Sequence, residues 1–286
     1  LNNLAYFYSR QGLHNKAEPL YRRSIDIYEK HLGSNNSDYI NALNNLAFSY
    51  SKQGLYNKAE PLIFNLIKIK SILIQRESPF LIEKERFSFS NSLPFSDYVF
   101  SISAKEKFYA KVSMFYRLNR HGLLEEIEKR QSILSALKEP EESKSTEIKN
   151  LTQQLSSVTL KSNDRQLLLN QKEKLEKQLY RLLPELEPRI VEVKEVTKML
   201  PKQSILIEFQ RYWNSDTETY MYLALALDHK KRVKSIDLGL ASSIDDKIQK
   251  ALTATAQDYT DQQQLWDEVS QLVIAPLEKQ IQDKDE

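Results

Sequence analysis

Apolar residues recur at spacings of three and four along the first part of the chain, a pattern that predicts amphipathic α-helices. The face of the first helix consists of Leu1, Leu4, Ala5 and Tyr8. Gly12 follows and is expected to end that helix. The face of a second helix consists of Ala17, Leu20, Tyr21, Ser24 and Ile27. Two helices separated by one glycine-containing turn predict a helical hairpin, and the small alanines allow its helices to approach closely.

The same pattern returns 42 residues later. Residues 1–20 read LNNLAYFYSRQGLHNKAEPL, and residues 43–62 read LNNLAFSYSKQGLYNKAEPL, with sixteen of twenty positions identical. Self-similarity at a period of about 20–50 residues is typical of solenoids built from repeated units.

These two segments resemble the tetratricopeptide repeat, in the longer form found in kinesin light chains. The extra length would fall in the loop around residues 31–38. The alternative is a generic helical hairpin. Because about three repeats are needed to bury a stable core, and Leu1 already lies inside the helical pattern, we expect further repeats upstream.

The tetratricopeptide resemblance also predicts a binding surface. In such arrays the first helices of the repeats line the concave face, and the polar positions of these helices share one face. The candidate peptide-binding residues are Asn2, Tyr6, Ser9 and Arg10, and their counterparts Asn44, Phe48, Ser51 and Lys52. Asparagine amides can pair with both groups of a peptide backbone, and Arg10 and Lys52 could hold a carboxylate. The alternative is that these are solvated polar positions.

The middle of the chain predicts more helices without a clear repeat. Residues 78–96 contain two prolines and read as a connector, and residues 104–138 return to helix with a break near Gly122. After the polar loop at 139–145, leucines spaced by three, four and seven residues predict an antiparallel hairpin with coiled-coil-like spacing over 148–182.

The last third changes character and predicts an α/β arrangement. Short apolar runs predict strands at 204–212, 219–227 and 232–238, followed by helices at 243–255 and 261–277. We expect the apolar face of this small sheet to be covered only by those two helices. We also expect the remaining strands to lie downstream, which would leave an exposed edge.

A second resemblance rests on the order of several segments. These are RQLLLNQKEKLEKQLYRLLPELEP (165–188), LPKQSILIEFQRY (200–212), YLALAL (222–227), SIDLGLASSIDDKI (235–248) and LWDEVSQLVIAPLEKQI (265–281). In this order, and after tetratricopeptide repeats, they resemble the start of a CHAT domain, a caspase-like module of bacterial proteins. The resemblance implies a caspase–haemoglobinase fold with a His/Cys dyad that cleaves peptide bonds.

The residues needed for that chemistry are missing from the sequence. A cysteine peptidase requires a thiolate and a nearby imidazole base, and the chain has no cysteine. Its four histidines are His14, His31, His121 and His229, and none occupies the position of the family's base. We therefore predict no catalytic residues, and expect the active half of the domain to lie downstream. The alternative is that the chain is a fragment of an active CHAT cysteine peptidase.

Composition and charge narrow the remaining classes of function. Lys+Arg is 41 and Asp+Glu is 39, a net charge of +2 that argues against nucleic-acid binding by bulk charge. The five glycines do not form a phosphate-binding loop, and no spacing indicates a metal site, so no cofactor is expected. No apolar run is long enough for a membrane span, and we expect a cytoplasmic protein.

Together these observations predict a mainly α protein that ends in a partial α/β domain. The predicted domains are a tetratricopeptide array at 1–75, a helical connector at 76–189, and the first part of a CHAT-like domain at 190–286. The predicted function is a protein–protein interaction module that binds a protein or peptide on its concave face. A helical scaffold without a peptide ligand is the remaining alternative.

Overall fold

The computed structural model describes residues 1–81, 89, 96–106, 109–155 and 162–282. Much of the predicted connector at 78–96 and residues 156–161 of the predicted hairpin at 148–182 lie outside these residues. The chain divides into two compact units, one of Leu1–Pro94 with Asn119–Ile190 and one of Phe95–Leu118 with Val191–Glu286. The three-segment domain division stays a prediction.

The first four helices form two hairpins, as the repeat predicts. Their bounds are α1 Asn2–Arg10, α2 His14–Leu32, α3 Ser37–Lys52 and α4 Tyr56–Glu77. Gly12 and Gly54 make the turns with φ of 74° and 70°, a conformation that costs glycine little. Neighbouring helices pack in chain order, with the small alanines at the close approaches fully buried.

The remaining elements follow in chain order. The helices are α5 Ser96–Lys105, α6 Ala110–Leu118, α7 Leu123–Ser135, α8 Glu141–Leu155, α9 Ser162–Leu182 and α10 Val193–Met199. The strands are β1 Ile205–Asn214, β2 Thr219–Asp228 and β3 Val233–Leu240. The last helices are α11 Ala241–Ala256, α12 Gln262–Val273 and α13 Ala275–Gln282. The prediction of a mainly α chain with a small α/β region is confirmed.

The rest of the first unit is held by an apolar cluster and by buried polar groups. Ile148 on α8, Leu179 on α9 and Leu186 share one core, so α8 and α9 pack as the predicted hairpin. The buried Arg130 guanidinium donates to the backbone oxygens of Leu186 and Glu187. Buried charges are tolerated only when they are paired in this way.

The sheet of the second unit is an antiparallel meander in the order β1-β2-β3. Both faces of β2 are buried. Leu223, Leu225 and Leu227 lie on one face, and Ala224 and Ala226 lie on the other. A strand buried on both faces reads as a continuous apolar run rather than as an alternation. This accounts for the sequence LALAL in the middle strand.

The expectation that only the C-terminal helices cover the sheet is wrong. On one face, Leu277 of α13 packs against Ala224, Ala226 and Ile236. On the other face, the ring of Phe100 on α5 lies 6.4 Å from that of Tyr212. Helices α5 and α6 thus reach this face from more than 80 residues earlier in the chain, a separation that local patterning cannot show.

The last predicted helix, 261–277, is also two helices. Helix α12 ends at Val273 and α13 begins at Ala275. Pro276 has no backbone N–H, so it cannot continue the hydrogen-bond ladder of α12. The break lets Leu277 reach the sheet cluster.

Candidate functional site

The first helices of the two repeats, α1 and α3, are joined by polar side chains. The Asn45 amide nitrogen donates to the Asn2 amide oxygen at 3.2 Å. The Ser9 hydroxyl donates to the Ser49 hydroxyl at 3.1 Å. These bonds form a polar seam between neighbouring helices, where a solenoid core would otherwise be apolar.

The seam extends to residues that sequence reasoning missed. His14 Nδ1 lies 3.2 Å from the Ser49 hydroxyl, and Gln53 Nε2 donates to the Ser49 backbone oxygen at 2.9 Å. Asn45 and Ser49 lie one turn apart on one face of α3, and Gln53, the residue that caps the end of α3, follows at the same spacing of four. That spacing is the signal in the sequence that could have identified them.

The eight predicted binding residues differ in their exposure. Tyr6, Arg10 and Lys52 are exposed, while Asn2, Ser9, Asn44 and Phe48 are half-buried. Lys52 places its ammonium 5.4 Å from the centre of the Phe48 ring, a cation–π contact that fixes its charge on this helix. Phe48 and Lys52 are therefore positioned together, one turn apart on α3.

Asn44 and Ser51 have opposite hydrogen-bonding states. The Asn44 side-chain oxygen is buried and has no partner among the described residues. The Ser51 hydroxyl is buried and donates to the Ala47 backbone oxygen at 3.0 Å. Since an unsatisfied buried acceptor is costly, Asn44 is the predicted residue with spare bonding capacity, whereas Ser51 serves its own helix.

A second polar group joins the two repeats through α2. Arg22 donates to the Tyr50 hydroxyl at 2.8 Å and to Glu18 at 3.1 Å, and Lys58 lies 3.7 Å from Glu18. The Lys58 ammonium also lies 5.1 Å from the centre of the Tyr50 ring. Burial raises the pKa of Tyr50 to about 12, so this phenol stays protonated at neutral pH.

A comparison with known protein families agrees with the hairpin geometry. The tetratricopeptide repeat family matches residues 1–63, so the chain contains tetratricopeptide repeats. Such repeats bind protein partners, and the match supports a protein–protein interaction module. No curated protein and no solved structure matches the chain.

Two further kinds of site are not found among the described residues. They contain no group of histidine, aspartate or glutamate residues placed to hold a metal ion, and no described helix is long and apolar enough to cross a membrane. His229 lies exposed in the turn between β2 and β3, where the backbone N–H of Lys230 donates to the Asp228 carboxylate at 2.9 Å. It is far along the chain from the repeat seam and belongs to the other unit.

Proposed function

We propose that the chain is an adaptor that binds an extended peptide segment of a partner protein on the concave face formed by α1 and α3. The observation that carries this proposal is the buried, unpartnered side-chain oxygen of Asn44. Asn44 as a residue is only half-buried, so a rotation of its side chain would bring the amide to the surface, where it could accept from a peptide N–H and donate to a peptide C=O.

The charge of the neighbouring positions favours an acidic ligand. Arg10 and Lys52 are exposed cations at equivalent positions of the two repeats. The aromatic residues Tyr6 and Phe48 precede them by one turn and offer apolar area for a peptide side chain. The proposed ligand is therefore an extended peptide with backbone contacts to Asn44 and a carboxylate near the cations.

A library of acidic peptides on a solid support tests this proposal. The measurement is the binding of the labelled full chain to each peptide. The double variant Asn44→Ala with Lys52→Ala should weaken binding of the selected peptides by about 1–3 kcal/mol through lost hydrogen bonds. The matched control is Asn3→Ala with Lys30→Ala, which removes the same groups from exposed positions elsewhere on the two hairpins. Equal binding by both variants, with unchanged circular dichroism, would place the ligand elsewhere.

The finer family assignments are part of the same proposal. The repeats at 1–75 would be of the kinesin-light-chain type, 76–189 a helical connector, and 190–286 the first part of a CHAT-like caspase domain. The sheet that follows the repeats, covered on both faces by helices, supports an α/β domain at that place in the chain.

The enzymatic alternative makes a separate test possible. Because the chain has no cysteine, we expect only background hydrolysis of fluorogenic peptides. Turnover that follows the protein through gel filtration would refute this expectation. A parent sequence carrying His and Cys at the ends of successive downstream strands would favour the fragment of an active peptidase instead.

A further inference from the structure

The outer side of β1 is one edge of the sheet of the second unit. Among the described residues, β1 pairs only with β2 and is an end strand of the sheet. Unpaired edges are templates for adding another strand, and proteins protect them with charges, prolines or covering elements. The question is which backbone groups of β1 remain open.

Two hydrogen bonds reveal the orientation of the β1 backbone. The Trp213 N–H donates to the Asp97 carboxylate at 3.1 Å, and the Asp228 N–H donates to the Arg232 oxygen at 3.1 Å. Both groups point away from the β1–β2 ladder, so the pairs Trp213–Tyr220 and Ile205–Asp228 are non-hydrogen-bonded pairs. Because pair types alternate, every second residue from 205 to 213 directs its N–H and C=O to the outer edge.

Two outward backbone groups near the C-terminal end of β1 already have partners. Asp97 takes the Trp213 N–H, and the Gln210 side chain donates to the Arg211 backbone oxygen at 2.6 Å. No such partner is present among the described residues for the outward groups of Ile205, Ile207 and Phe209. The open stretch is therefore five residues long and centred on Ile207.

The side chains of this stretch are apolar on one sheet face. Ile205 is 36% and Phe209 is 40% exposed, and Ile207 is half-buried against the sheet cluster. The charge on the opposite face, Glu208, is bound to Arg117 at 2.9 Å and is mostly buried. The stretch thus presents no free charge to an incoming strand.

We propose that this edge pairs with the same edge of a second copy of the chain, in an antiparallel two-fold arrangement centred on Ile207. In that register Ile207 faces its own copy, and Ile205 faces Phe209 of the other copy. Each of these pairs exchanges both backbone hydrogen bonds. A two-fold contact requires a self-complementary surface, and the stretch meets this requirement because apolar residues face apolar residues throughout.

Cross-strand charges test the register. Each single variant, Ile205→Lys or Phe209→Glu, places a charge opposite an apolar residue. Because the dimer is two-fold symmetric, this unfavourable pair occurs twice, and each variant should raise the dimer dissociation constant at least about tenfold. The double variant places Lys opposite Glu twice and should recover most of the association. An equimolar mixture of the two single variants should form a heterodimer, because its pairs are Lys–Glu and Phe–Ile.

Sedimentation velocity of the full chain over a wide concentration range gives the association constants, and circular dichroism verifies folding. Hydrogen exchange adds a local readout: the Ile205, Ile207 and Phe209 amides should gain protection as concentration rises. Ile274→Lys, an equally exposed apolar position outside the sheet, is the control and should leave association unchanged.

Three outcomes would overturn the proposal. A wild-type chain that stays monomeric at all concentrations would show that this edge does not pair with its own copy. Association unaffected by the single variants would place the contact elsewhere. Single variants that weaken association without recovery in the double variant would indicate non-specific apolar contact rather than this register.

Discussion

The two repeats have nearly the same sequence but very different surroundings. Leu4 is 47% exposed, while its counterpart Leu46 is 2% exposed. Leu1 is 48% exposed and its counterpart Leu43 is 3% exposed. The difference arises because α2 of the first repeat packs against α3 of the second, whereas no described element covers the same face of α1. Identical residues therefore specify the hairpin, and a neighbouring repeat decides how much apolar area that hairpin buries.

The positions inside each hairpin show the opposite behaviour. Ala5 and Ala17 are fully buried in the first repeat, as are Ala47 and Ala59 in the second. The two turn glycines have the same positive φ. Contacts within a repeat are thus equivalent, and contacts between repeats are not. Paired substitutions at equivalent positions can separate these two kinds of contact.

The largest expected difference comes from the core leucine. Leu46→Ala should lower the free energy of unfolding by about 2–5 kcal/mol, because it removes a buried side chain and leaves a cavity. Leu4→Ala should cost less than about 1 kcal/mol, since that side chain is already half in water. Urea unfolding followed by circular dichroism measures both. Equal losses would mean that α1 is covered in solution.

Substitution of either turn glycine should lower the stability of the chain by the same amount. Gly12→Ala and Gly54→Ala each force a side chain into the left-handed region, which costs about 1 kcal/mol. A Cβ at either position meets no other atom within 4 Å, so steric contacts add nothing. Thermal unfolding of the two variants provides the measurement, and a clear difference between them would contradict the equivalence of the two hairpins.

The contact between repeats can be tested at a tyrosine. Tyr50→Phe removes the acceptor for Arg22 and should cost about 0.5–1.5 kcal/mol, the usual worth of a single hydrogen bond. The equivalent Tyr8→Phe removes a hydroxyl on the face that no described repeat covers and should be close to neutral. Urea unfolding distinguishes the two, and a neutral Tyr50→Phe would show that Arg22 contributes nothing between repeats.

The sequence predicted what is local and missed what is distant. The helical hairpins, their turns and the three strands follow from periodicity and glycine positions within short windows. The placement of α5 and α6 against the sheet does not, because Phe100 and Tyr212 are more than a hundred residues apart. The same limit applies to the candidate site. Asn2 and Asn44 could be chosen because they occupy equivalent positions of the two repeats. The Asn2–Asn45 and Ser9–Ser49 hydrogen bonds could not be predicted, because they depend on how α1 and α3 pack.

The smallest expected effect is the pH dependence of the contact between repeats. A hydrogen bond with Tyr50, followed by Arg22 and Lys58, lowers the pKa of Glu18 below its ordinary value of 4.5. A carboxylate whose pKa is lowered by folding contributes stability above its unfolded pKa, and this contribution is lost as pH falls through the folded value. Glu18→Gln should therefore lower the free energy of unfolding near neutral pH by less than about 1 kcal/mol. It should also make the loss of stability below about pH 4.5 less steep.

Asp26→Asn, at an exposed position of the same helix, is the control. Urea midpoints measured across the acid range should show the flattening for Glu18→Gln only, and a parallel decline in both variants would contradict the assignment.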